Sequence, residues 1–496
     1  MKLLDRIDDW MNPIAVKELR QAVRGKFVAI AVLLALIVQL IAVFIITMSN
    51  SLTVSPSSQP AGPAAFSTLF TVLFTISIFL IPAYSGIRMA AERSDTSTDL
   101  LFITTIRPRT IIIGKLMAVV GLLVLLFSAS LPFLVFSYVL RGIDMFAIVL
   151  LLALALIAVV NQSILALFIG SVPASRPFKI LLAVGFFLGT FLIYRPMLEV
   201  TMEVLRMGVD LGILVATPFW SALGTFVGVL IALDAVVVVL TTAAISPPVA
   251  NRAFPVRSMI SVMWALAFIG AMWATFSTKL DLLLSVWAVL FLVFVSLVLL
   301  SAIGERETWA PRILRTIPRS PLLRAAAFLF YSGSGGGILW ALLFFAGTVV
   351  LYYIGAHAVP LLYSERVPLV TRYLADGVFC IVGYALTAAL LRRKLLPRIP
   401  ARTTWAVALG LFLIGAIAPM VIGLAMDAET NRFGLYANVA TMLNPFPMTM
   451  RSAKAASVRT LVLALWALAV MLMNSAWIVA QARRFRPLPL QEAVES

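Results

Sequence analysis

Long runs of apolar residues, separated by short polar segments, dominate this sequence. Each run approaches the roughly 20 residues that an α-helix needs to cross about 30 Å of hydrocarbon, whereas barrel strands would alternate between apolar and polar positions. The pattern predicts an all-α, polytopic membrane helical bundle of about twelve spans. The predicted spans are residues 27–48, 66–87, 116–140, 146–172, 180–194, 219–245, 259–278, 280–303, 336–354, 373–391, 404–425 and 458–481.

Composition supports the same fold class. Hydrophobic residues make up 62% of the 496 residues and charged residues 12%, against about 45–50% and about 25% in ordinary soluble domains. Soluble, disordered and fibrous classes are therefore excluded. A single cysteine, Cys380, and a single histidine, His357, exclude a disulfide framework and any metal site of several His or Cys ligands. A Cys-His or Ser-His-Asp device would have to use His357.

The net charge of +17 would suggest nucleic acid binding in a soluble protein. With the N-terminus inside, 28 of the 38 Lys and Arg residues fall on cytoplasmic segments. The positive-inside rule therefore predicts that both termini are cytoplasmic, and that the charge orients the chain rather than binding nucleic acid. We expect a multi-pass protein of the cell membrane, the inner or plasma membrane of a prokaryote, in contact with membrane lipid and with no nucleic acid partner.

The chain reads as two six-helix halves, residues 1–245 and 246–496. In each half the loop after the second span is cytoplasmic, basic and opens with Glu-Arg, at Glu92-Arg93 and at Glu305-Arg306. A longer outer segment precedes the sixth span of each half, at 195–218 and 426–457. Six spans per half predict a parallel repeat about an axis along the membrane normal. Charges at helical spacing predict a separate interfacial helix over 195–210.

Two cytoplasmic segments have helical character. Residues 12–26 combine a Pro13 start with apolar positions three or four apart, which predicts an amphipathic interfacial helix. The alternative is a basic orientation signal and nothing more. Within the loop 88–115, a stretch rich in Ser, Thr and Asp before Leu100 predicts a short helix that ends at Pro108. The alternative is a solvated loop. The glycine-rich stretch 332–337 predicts close packing or a break in a membrane helix, so the ninth span can begin as early as Ala325.

Two motifs carry a resemblance. The first is Lys17-Glu18-Leu19-Arg20, and the second runs from Glu92-Arg93 through Thr98-Asp99-Leu100-Leu101 to Gly114-Lys115. Together they resemble the permease subunit of a type-2 ATP-binding-cassette (ABC) exporter. That family opens with an interfacial helix carrying Lys/Arg-Glu-Leu-Arg and has a coupling loop of the second form after its second span.

The resemblance implies a membrane pathway for export, driven by a separate ABC ATP-binding subunit, in two copies, that holds ATP and Mg. It also implies a homodimer, a second permease, or a pseudo-dimer built into one chain. The chain itself is expected not to be an enzyme, because no P-loop accompanies Gly25-Lys26 or Gly114-Lys115. The residues implied to couple to the ATPase are Lys17, Glu18, Arg20, Glu92, Arg93, Asp99, Leu100, Leu101, Arg107, Arg109, Lys115 and, in the second half, Glu305, Arg306 and Arg319.

Three polar residues inside predicted spans are candidates for a transport pathway: Asp234, Asn161 and Gln162. A charge near the centre of a span costs at least about 2.5 kcal/mol, so Asp234 is either functional or neutral and hydrogen-bonded between helices. Two other functions remain open at this stage. They are an ion-coupled secondary transporter, which would use Asp234, and a membrane scaffold without transport.

Overall fold

The structure, a computed structural model, describes residues 12–52, 61–94, 107–173, 176–207, 217–247, 250–278, 282–359, 366–430, 442–444 and 453–487. All regular secondary structure in these ranges is helical. The chain divides into two compact units, Met1–Pro247 and Pro248–Ser496. Twelve of the described helices, six in each unit, are long and apolar enough to cross a membrane. The protein is therefore an all-α, polytopic membrane helical bundle.

The first unit is organised around its second spanning helix. Its helices are α1 (Pro13–Arg24), α2 (Lys26–Leu52), α3 (Ala61–Ser94), α4 (Pro108–Val139), α5 (Met145–Ser171), α6 (Arg176–Met207) and α7 (Thr217–Ile245). Helix α3 contacts α2, α4, α5 and α6. Phe66, Phe70 and Phe74 of α3 are fully buried and stack on one another, and Phe74 stacks on Tyr194 of α6. The four-residue spacing places these rings on one helix face, which forms the core of the unit.

Of two short helices predicted between the spans of this unit, the one expected to end at Pro108 lies outside the described residues. Pro108 itself is the first residue of α4, a position where the missing N–H of proline costs nothing. Residues 195–207 do not form a separate helix, because α6 continues through Pro196 to Met207. The charges that suggested an interfacial helix form exposed pairs within α6, Arg195 with Glu199 at 3.7 Å and Arg206 with Glu203 at 3.3 Å.

The second unit pairs its long helices closely. Its helices are α8 (Ala253–Thr278), α9 (Leu282–Ala302), α10 (Pro311–Leu314), α11 (Pro321–Phe330), α12 (Ser334–Ala358), α13 (Arg366–Lys394), α14 (Thr404–Thr430) and α15 (Ala453–Arg484), with a 3₁₀ turn at Ala401–Thr403. Helix α13 packs along α15, and α12 packs along α9. The loop between α9 and α11 is anchored by an apolar cluster in which Ile317, Phe328 and Phe485 are buried.

The glycine-rich stretch forms the break that its sequence predicts. Helix α11 ends at Phe330 and α12 begins at Ser334. The glycines also allow close packing, because a Cβ atom at Gly336 would lie 1.9 Å from the Phe328 carbonyl oxygen. A Cβ atom at Gly337 would lie 2.5 Å from the Cβ of Ala302. Both parts of this prediction, close packing and a helix break, are confirmed.

Candidate functional site

Helix α1 is fixed at its N-terminus to the start of α4. The side-chain Oδ1 of Asn12 accepts a hydrogen bond from the Ile14 N–H at 3.0 Å, which caps α1. The Nδ2 of the same side chain donates to the carbonyl oxygen of Thr110 at 2.8 Å. One asparagine therefore both starts α1 and attaches it to α4.

Two glycines of α4 let α1 approach closely. A Cβ atom at Gly114 would lie 2.8 Å from the Cβ of Ile14, and one at Gly121 would lie 3.1 Å from the Cδ1 of Leu19. The two glycines are seven residues apart and so lie on one face of α4. The glycine of the Gly114-Lys115 motif is therefore a packing site for the helix that carries the Lys-Glu-Leu-Arg motif.

A cluster of four charges joins α1, α3 and α4. The Nζ of Lys115 lies 2.9 Å from Oε1 of Glu18 and 2.8 Å from Oε2 of Glu92. Arg88 lies 3.6 Å from the second oxygen of Glu18 and donates to the side chain of Gln21 at 2.7 Å. The Lys115 and Glu18 side chains are only 6% and 10% exposed, so this pair is largely removed from solvent. We call Glu18, Arg88, Glu92 and Lys115 the charge cluster.

The opposite face of α1 is basic and exposed. Lys17, Arg20 and Arg24 are exposed at positions i, i+3 and i+7, which share one helix face. Arg107 and Arg109, at the start of α4, are exposed as well. Of the other predicted coupling residues in this unit, Asp99, Leu100, Leu101 and the side chain of Arg93 lie outside the described residues.

The predicted coupling residues of the second unit have a different arrangement. Arg306 and Arg319 are exposed, whereas Glu305 is directed inwards. An oxygen of Glu305 lies 2.7 Å from Nη2 of Arg257, a fully buried side chain of α8. The other oxygen accepts a hydrogen bond from the Gly333 N–H in the break between α11 and α12. Burial raises the pKa of the Glu305 carboxyl above its ordinary value, while Arg257 and the Gly333 N–H oppose that shift.

Sequence reasoning missed Arg88 and Arg257 as members of these sites. Both were counted as basic residues that orient the membrane segments, because a positive charge near a span end is what the positive-inside rule expects. Only the three-dimensional packing shows that each faces a carboxylate.

Each of the polar residues predicted for a pathway has a hydrogen-bond partner on another helix of the first unit. The Nδ2 of Asn161 donates to Oδ1 of Asp234 at 2.8 Å, between α5 and α7. Gln162 donates to the hydroxyl of Thr190 on α6 at 2.7 Å. The structure thus brings Asn161 and Asp234 together and turns Gln162 to a different partner.

No family model, curated protein or solved structure matches this chain. Similarity to known proteins therefore identifies neither a family nor a substrate. The resemblance to ABC permeases rests on the sequence motifs and the pattern of spans.

A further buried ion pair was missed altogether. Arg459 of α15 and Asp376 of α13 lie 3.1 Å apart with 4% and 6% of their side chains exposed. Both positions fall near the ends of predicted spans, at 458–481 and 373–391, where a charge is ordinarily taken to mark the membrane boundary. A signal was present in the sequence, since an acidic and a basic residue each lie just inside an apolar run.

Proposed function

We propose that this chain is the permease subunit of an ABC exporter, forming the membrane pathway for ATP-driven export with a separate ATP-binding subunit. Its proposed location is the cell membrane of a prokaryote, and ATP and Mg would be held by the partner. One observation supports this most. Three charged residues that carry the resemblance, Glu18, Glu92 and Lys115, come from separate segments of the sequence and meet in the charge cluster.

The charge cluster suggests how force would pass into the membrane. Lys115 bridges carboxylates on α1 and α3, and Gly114 brings α1 against α4. A push on α1 would therefore move the ends of α3 and α4 with it. Buried ion pairs resist separation because breaking one leaves an uncompensated charge out of water.

The exposed basic face of α1 is the proposed contact for the ATPase. Lys17, Arg20 and Arg24 point away from the charge cluster's side of the helix and are free to meet an acidic protein surface. Complementary charge of this kind raises association rates and fixes orientation more than it adds affinity.

Co-purification tests the proposal. The chain is expressed with a P-loop ATPase encoded beside it, and both the complex and its ATPase activity are measured in lipid nanodiscs. We expect a stable complex that Lys17→Glu combined with Arg20→Glu weakens at least tenfold. Arg195→Glu, an exposed arginine of α6, is the matched control and should change nothing. Two results together would contradict the proposal. They are failure to form any complex and unchanged transport after charge reversal at Glu92 and Arg93.

A specific observation also favours the alternative of an ion-coupled secondary transporter. Asp376 and Arg459 are buried charges inside candidate membrane spans, and such residues commonly mark ion pathways. Asp234 adds a third ionisable group. Uptake into proteoliposomes that contain an ion gradient but no ATP, abolished by Asp376→Asn, would favour this reading over the first.

A further inference from the structure

The Arg459–Asp376 pair holds a short segment that precedes α15. One guanidinium nitrogen of Arg459 donates to Oδ2 of Asp376 at 3.1 Å, and the other donates to the carbonyl oxygen of Asn444 at 2.9 Å. Asn444 is itself buried. The arginine thus connects two membrane helices to a chain segment outside them.

Two further hydrogen bonds hold the same segment. The hydroxyl of Tyr384 on α13 donates to the Leu443 carbonyl oxygen at 2.8 Å. The side-chain amide of Asn444 donates to the Ala416 carbonyl oxygen on α14 at 3.4 Å. Residues 442–444 are therefore bound to α13, α14 and α15.

One oxygen of this carboxylate lacks a partner among the residues that the structure describes. None of them donates a hydrogen bond to the buried Oδ1 of Asp376. A carboxylate oxygen out of water without a donor is costly. A water molecule that enters when Arg459 and Asp376 separate can donate a hydrogen bond to this oxygen. That new hydrogen bond offsets part of the free energy lost with the ion pair.

A buried cysteine lies on α13 between the ion pair and the hydrogen bond of Tyr384. Cys380 is one helical turn after Asp376 on α13 and 2% exposed. It forms a small apolar cluster with Tyr384 and with Leu463, which is one turn after Arg459 on α15. The contacts of Asp376 and Tyr384 therefore lie one turn to either side of Cys380 along α13.

We propose that Arg459, Asp376, Tyr384 and residues 442–444 form a latch that closes this end of the second unit to water. On the predicted orientation this is the outer end. The latch opens by exchange of the Arg459 contacts for water, and its opening makes Cys380 accessible. It does not rest on the proposed function, since neither nucleotide nor a partner subunit enters into it.

The single cysteine of the chain makes the latch directly measurable. Intact cells expressing the full chain are treated with a membrane-impermeant maleimide, and the rate of Cys380 labelling is followed by mass spectrometry. We expect slow labelling of the wild type. Arg459→Gln and Asp376→Asn should each label at least tenfold faster, and Tyr384→Phe, which loses one hydrogen bond, about two- to fivefold faster.

Three controls accompany the measurement. Cys380→Ser must abolish labelling in every background, and Arg195→Gln, which removes an exposed ion pair of α6, should leave the rate at the wild-type value. Each variant must elute as a single species and label completely after denaturation. If the two charge variants do not fold, the milder Tyr384→Phe decides.

The latch is overturned by either of two results. One is a wild-type rate equal to that of an exposed reference cysteine, Arg195→Cys in a Cys380→Ser background. The other is a set of folded latch variants that label no faster than the wild type.

Discussion

At the scale of single residues, Lys115 links the two carboxylates of the charge cluster. It is one cation between two carboxylates, and its own side chain is nearly buried. Without it, Glu18 would keep only the longer contact to Arg88. The two carboxylates would then repel each other across a site with little water to screen them.

Lys115→Met should therefore destabilise the protein more than Glu18→Gln. We expect a loss of about 3–5 kcal/mol for Lys115→Met, because it leaves a buried carboxylate without its main partner. Glu18→Gln should cost about 1 kcal/mol, since Lys115 keeps Glu92 and the amide oxygen still accepts a hydrogen bond. Thermal unfolding in nanodiscs would rank the variants, with the exposed Glu199→Gln as control. Equal midpoints for Lys115→Met and Glu199→Gln would contradict the role given to the charge cluster.

The buried Arg257–Glu305 pair makes a second prediction at this scale. Glu305→Gln leaves a fully buried guanidinium without its counter-charge and should destabilise the second unit by about 3–5 kcal/mol. Arg257→Met combined with Glu305→Gln should recover much of that loss, because no unpaired charge is then left buried. The double-mutant cycle measures this by thermal unfolding, and simple additivity of the two single variants would show that they do not act as a pair.

At the scale of helices, the contact of α1 with α4 depends on a glycine. Gly114→Ala places a methyl group 2.8 Å from the Cβ of Ile14, so α1 must move away. We expect faster hydrogen exchange at the amides of α1 and a weaker complex with the ATPase subunit. Gly189→Ala on α6 is the matched control, because nothing lies within 4 Å of the added carbon. If exchange in α1 is the same in both variants, α1 does not depend on this contact.

The sequence predicts which segments form helices better than it predicts how the side chains of those helices pair. Twelve spans follow from apolar length alone, and the amphipathic start of α1 follows from its periodicity and Pro13. The continuation of α6 through Pro196 did not follow, because neighbouring groups in a bundle can offset the hydrogen bond that proline removes. The sequence also did not predict which charged residues form pairs. The sequence gives the positions of Asp376 and Arg459 along their helices. It does not give the rotation of each helix about its own axis, which decides whether the two side chains face each other.

At the scale of the whole molecule, the distribution of charge predicts orientation. With the N-terminus inside, 28 of 38 Lys and Arg residues lie on the cytoplasmic side, a bias that the insertion machinery reads directly. The coupling proposal and the latch use opposite ends of this arrangement. The charge cluster would face the cytoplasm, where a soluble ATPase can reach α1, and Asn444 would face outwards.

Cysteine labelling of intact cells tests this orientation. In a Cys380→Ser background, Met145→Cys, at the exposed start of α5, should react with an impermeant maleimide added outside. Arg486→Cys, exposed just after α15, should react at least tenfold more slowly, because the predicted orientation leaves it in the cytoplasm. Permeabilised cells should label both sites, which shows that each cysteine is reactive once reached. The reverse pattern would invert the protein in the membrane. The basic face of α1 would then lie outside, away from any ATP, and the coupling proposal would fail with the orientation.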